Sequence, residues 1–281
     1  MIKKLFVFSL ILLSVLGCTN GALKPKDFSE DEINKKYPYW QVGIERFEID
    51  SRLTKYTTIT VDEKKYMLIC MALIRLAVNT EEFVNGVNAK KNELGSSVDD
   101  SYDGHVLKIG DKYDAQKVID CVRSLKYDFV YRKMNTAAGA GTGEMGKSRY
   151  LRYGLQPESQ IPTGGWVGFS SGKWGSLDDP LYGDYYTYMK SQAYANVAAL
   201  MFHEHMHNTG FHHVGQYAVP YTLDGIVRDI LNRILWKDAI NGTTPNLKNK
   251  YKKQVDELIA YYLTEYKDLL NEDTIFDPNV K

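Results

Sequence analysis

The segment His203-Glu204-His205-Met206-His207-Asn208-Thr209-Gly210-Phe211-His212-His213 constrains this chain more than any other. Its pattern is H-E-x-x-H-x-x-G-x-x-H. The first part asks for a helix, because residues four apart share one helix face, about 6 Å apart along the axis. Gly210 asks for that helix to end, since glycine tolerates the left-handed conformation that terminates helices. The chain can then turn sharply and bring His213 back toward His203 and His207. The fold must therefore provide a rigidly mounted helix, a sharp exit and room in front of the last helical turns.

Three histidines at this spacing can grip one metal ion and leave a fourth position open for water, which marks a catalytic rather than a structural zinc site. Glu204 is next to the first ligand and can lean over the ion without binding it. A carboxylate there can take a proton from water that zinc has acidified toward neutrality. A bare H-E-x-x-H arises by chance in roughly one such chain in a hundred, and the glycine and third histidine push this below roughly one in ten thousand. Five of the six histidines lie in this segment, so a His-rich helix end binding metal adventitiously is the alternative. It does not explain Glu204 or Gly210. His205 and His212 miss the ligand spacing and are expected in solvent or behind the ligands.

The extended motif resembles the signature of the metzincin clan of zinc metallopeptidases at every fixed position. The resemblance implies His203, His207 and His213 as ligands of Zn2+ and Glu204 as general base. Metzincins also carry a methionine in a tight turn beneath the metal, whereas this chain has no methionine after Met206. Tyr217-Ala218-Val219-Pro220-Tyr221 lies where that turn could fall, and Pro220 suits a turn. In some metzincins a tyrosine near the turn ligates the metal or stabilises the oxyanion. Tyr221 is the first candidate for that role and Tyr217 the second, with ordinary packing the alternative among 21 tyrosines.

The N-terminus has the form of an export signal. Lys3 and Lys4 precede an apolar run from Leu5 to Leu16, too short for a comfortable membrane span. Val15-Leu16-Gly17-Cys18 then resembles a bacterial lipobox, which implies cleavage before Cys18 and lipid attachment to its sulfur. The alternative is ordinary secretory cleavage near Gly21-Ala22. Thr19 stands where an inner-membrane retention aspartate would, so an outer-membrane or cell-surface location is expected in a Gram-negative host. The lipid would anchor the protein without spanning the bilayer. Of the remaining cysteines, Cys70 and Cys121 could pair in an oxidising compartment or stay as separately buried thiols. The 35 basic and 35 acidic residues balance, and no basic block argues for nucleic acid. A monomer is expected.

Residues 1–17 read as the signal peptide, 18–38 as a tether and 39–281 as the catalytic domain. Gln41–Ile49 and Tyr127–Tyr131 alternate like strands. Asp62–Val78 has a broad apolar helical face, and Asn79-Thr80-Glu81-Glu82 caps a continuation toward Lys90. Asp114 can cap a helix through Val118, Ile119 and Val122. Thr136–Gly146 reads as a Gly/Ala/Thr surface loop at a cleft rim. Gly164–Ser171 reads as a short strand with exposed edges, the kind that pairs with an extended substrate in metzincin-like enzymes. The motif helix is expected from Asp184 or Tyr185 to Asn208, with Val197, Leu200 and Met201 inward. Amphipathic helices follow over Leu223–Trp236 and Leu247–Leu270.

The fold class expected is α+β and zincin-like: a mixed or antiparallel sheet packed on helices, with a helical C-terminal part. The expected activity is zinc-dependent hydrolysis of peptide bonds in a protein or peptide substrate outside the cytoplasm. A zinc hydrolase acting on a cell-wall or glycoconjugate substrate, or a non-catalytic surface-binding lipoprotein, are the alternatives.

Overall fold

The computed structural model describes residues 29–90, 115–135, 138–142, 165–170, 173–174, 188–208, 219–236 and 246–280. The described residues form an α+β fold. Helices α1 (Glu30–Lys36), α2 (Val61–Val78), α3 (Glu81–Ala89), α4 (Ala115–Ser124), α5 (Tyr188–Asn208), α6 (Val219–Leu235) and α7 (Lys248–Glu265) surround strands β1 (Gly43–Ile49), β2 (Thr57–Ile59), β3 (Asp128–Met134), β4 (Ala138–Thr142), β5 (Gly165–Ser170) and β6 (Thr274–Phe276).

Helix α2 is the centre of the packing. Thr60 and Glu63 cap its start reciprocally, and from Tyr66 to Val78 it is buried on every side. A helix buried all round needs its polar groups compensated. Lys64 donates to the carbonyls of Leu269 and Glu272 at 2.9 and 2.7 Å. Arg75 donates to the Tyr37 carbonyl and to Asn34 at 2.8 and 2.5 Å. Cys70 in α2 and Cys121 in α4 are separately buried thiols rather than a disulfide, and burial pushes the Cys70 thiol well up.

The Arg75 bonds attach α1, which lies in the stretch assigned to a tether. Ser29 and Glu32 form a capping box, Ile33 is buried, and the Tyr37 hydroxyl donates to Glu257 at 2.8 Å while Lys36 pairs with the same carboxylate. Residues 29–38 are thus part of the folded unit. Two apolar anchors in a strongly charged run carry too little periodicity to reveal this in the sequence. Residues 1–28, with the signal segment and Cys18, lie outside the described residues.

The main sheet has the order β1-β3-β5-β4. β1, β3 and β5 run parallel, and β4 is antiparallel to β5, so the sheet is mixed. Two expectations change here. Gly165–Ser170 is not an edge strand but lies between β3 and β4. The edge strands are β1 and Ala138–Thr142, the latter inside the Gly/Ala/Thr stretch read as a surface loop. Glycine and alanine disfavour strands intrinsically, and pairing to β5 overrides that preference. A small antiparallel pair, β2 with β6, packs beside β1.

Trp40 connects α1 to β1 with φ 55, a left-handed conformation uncommon for a bulky residue. Its backbone N–H donates to the Arg123 carbonyl at 3.2 Å, and its indole is fully buried. Burial of so large a ring, worth about 2–3 kcal/mol, offsets the roughly 1–2 kcal/mol cost of that backbone.

Candidate metal and catalytic site

Helix α5 carries the motif and is held from several directions. Ala195, Ala198, Met201 and Phe202 are buried in the core. Tyr194 stacks on Tyr66 of α2 at 4.6 Å, and Phe202 meets Phe83 of α3 edge-on at 6.2 Å. The helix also packs on β4, β5 and α6. Its start is Tyr188; Asp184, expected as its cap, lies outside the described residues, as do Gly210, His212 and His213.

The helix brings His203 and His207 together one turn apart, with ring centroids 5.0 Å from each other. His203 is buried at 3 % exposure, while His207 is half-buried. Glu204 is buried at 6 %, and loss of solvent raises its carboxyl to about 7, partly countered by His203. A carboxyl poised there can both accept and return a proton near neutral pH. A dication beside it would pull the value back down.

Tyr221 places its ring 4.7 Å from that of His203, inclined at 57°. It lies in the first turn of α6, with Pro220 as the second helical residue, so 219–221 begin a helix rather than form a tight turn. Proline suits both settings: its fixed φ fits a helix start, and its missing N–H is not needed there. Tyr217 lies outside the described residues.

Two residues that the sequence reading passed over meet the site. Asp224 of α6 accepts a hydrogen bond from Nδ1 of His203 at 3.0 Å, and Arg228 donates to the other oxygen of Asp224 at 3.1 Å. The available signal was a lone carboxylate within the apolar stripe Pro220, Leu223, Val227, Leu231 of an amphipathic helix. A buried charge in that position asks for a partner.

His205 is corrected. It is neither in solvent nor behind the ligands, but fully buried on the opposite side of α5. Two residues along a helix is about 200° of rotation. Tyr131 of β3 and Nε2 of His205 share a hydrogen bond of 2.6 Å, with Phe129 and Trp40 edge-on at 4.7 and 5.4 Å. Burial lowers its pKa to about 3, so the ring is neutral. It fastens the motif helix to the sheet.

His203 and His207 present imidazole nitrogens, a donor type zinc accepts. With Nδ1 of His203 directed at a carboxylate, the neutral ring would present its lone pair on Nε2, as a metal needs. Among the described residues no three His, Cys, Asp or Glu side chains gather as a metal site; the third histidine of the motif is outside them. Compared with protein-family models, with curated proteins and with solved structures, the chain matches none.

Proposed function

We propose that this chain is a zincin-like, zinc-dependent endopeptidase acting outside the cytoplasm, carried on a lipid at Cys18. The observation that carries the reading is the arrangement on α5: His203 and His207 one turn apart, with Glu204 buried beside the first of them. His203, His207 and His213 would hold the ion. Zinc supplies Lewis acidity, lowering the pKa of water and polarising a carbonyl. Glu204 takes the proton of the attacking water and returns it to the leaving amine. Tyr221, exposed and against His203, donates to the developing oxyanion.

Two surroundings support a polymeric substrate. β4 is an antiparallel edge strand beside α5, and a peptide could extend the sheet there through backbone hydrogen bonds. A cleft of about 610 Å³ starts at Tyr221 and runs between α3 and α6, with Gly86, Ala89, Gly225 and Ile226 among its walls.

The test uses the soluble form beginning after Cys18. Its metal content is measured, and it is incubated with a broad peptide library beside Glu204→Ala. About one zinc per chain and Glu204-dependent cleavage are expected. Zinc without cleavage would move the reading to a non-protein substrate or a binding role; no zinc would overturn it.

A further inference from the structure

We propose that Asp224, held by Arg228, sets the tautomer and ring orientation of His203 and thereby tunes the affinity of the site for its metal. The proposal rests on the zinc reading above. A carboxylate oxygen accepts, so in the neutral ring the 3.0 Å contact favours the tautomer with its proton on Nδ1 and its lone pair on Nε2. A free imidazole divides its proton between the two nitrogens and turns about its side-chain bonds. Here one nitrogen is already engaged by a carboxylate, which biases both choices.

The contact is built into the fold. The side chains of His203 and Asp224 are 4 % and 9 % exposed, so water competes little for either. The Arg228 guanidinium, one turn on along α6, donates to the second carboxylate oxygen at 3.1 Å and holds the carboxylate in place. α6 therefore does more than cover α5. Its inward stripe is interrupted at one position by the acceptor His203 needs, and Tyr221 one turn earlier lies against the same ring. Asp224 touches neither substrate nor metal and is a positioning residue.

Zinc affinity is measured by chelator competition on the full soluble chain for wild type, Asp224→Ala, Asp224→Asn and Arg228→Gln. Asp224→Ala should weaken zinc binding about 10–100-fold, the usual cost of losing a carboxylate behind a ligating histidine. Asp224→Asn keeps an oxygen acceptor for Nδ1–H and should recover most of that loss. Arg228→Gln, on the partly exposed side, should cost several-fold without unfolding the protein. In the metal-free wild type, nitrogen NMR should show the neutral His203 ring with its proton on Nδ1, and in Asp224→Ala that proton should divide between the two nitrogens. Zinc affinity within twofold of wild type in Asp224→Ala overturns the proposal. So do equal losses in Asp224→Ala and Asp224→Asn that follow thermal stability, which is the behaviour of a purely structural ion pair. If Asp224→Ala does not fold, unchanged affinity in both Asp224→Asn and Arg228→Gln overturns it. Failure of the wild type itself to bind zinc removes the zinc reading, and this proposal with it.

Discussion

Tyr131→Phe removes one oxygen from the interior and tests how the motif helix is fastened to the sheet. Tyr131 and His205 are both fully buried, and their 2.6 Å hydrogen bond joins β3 to α5. Nδ1 of His205 has no partner among the described residues, so the Tyr131 hydroxyl is the ring's hydrogen bond there. Stripping it leaves a buried polar nitrogen unsatisfied, at a cost of about 1–3 kcal/mol. For a domain of this size that lowers Tm by roughly 2–10 °C. Replacing both partners, as Tyr131→Phe with His205→Phe, removes the unsatisfied group and should cost less than the two single changes added together. The assay is urea unfolding of the metal-free chain for the four members of the cycle. Additive effects, or a Tyr131→Phe protein as stable as wild type, would refute the anchoring role.

His205 also predicts a pH dependence. Its folded pKa of about 3 lies below the ordinary 6.5, so the unfolded chain binds the extra proton between those values. This contribution is complete above pH 6.5 and fades as pH falls toward 3, by up to ~5 kcal/mol; His205→Phe should flatten the metal-free stability profile across that window, and an unchanged profile would refute the assignment. Deleting residues up to 28 should leave thermal stability intact, whereas deleting up to 38 removes Ile33, the partners of Arg75 and two bonds to Glu257, and should lower Tm sharply; equal stability of the two truncations would refute a structural role for α1. Gly225→Ala should raise stability by about 0.5–1 kcal/mol, because a β-carbon there meets nothing within 4 Å and helical glycine is costly; destabilisation in a denaturant titration would contradict the open wall of the cleft.

The helices that the sequence disclosed are those whose signal is local. α2, α3, α6 and α7 follow from apolar spacing and, for α3, from the cap at Thr80, which neighbouring residues set by themselves. The pairing of His203 with His207 and the place of Glu204 follow from helical spacing in the same way. α1 escaped because its anchors are tertiary: Ile33 packs into the core, and Tyr37 bonds Arg75 and Glu257, which are distant in the chain. β4 escaped because its strand character comes from β5 rather than from its own glycines and alanines.

Sequence alone determined that His203 and His207 lie one turn apart on a helix with Glu204 next to the first of them. Tertiary structure alone decided what stands behind them. It turned His205 into the core against Tyr131, put Asp224 and Tyr221 against His203, and exchanged the expected edge strand for β4. The difference is physical. Helical periodicity is a property of a few consecutive residues, whereas hydrogen-bond partners and strand neighbours are chosen among all segments of the chain by burial and satisfaction of polar groups.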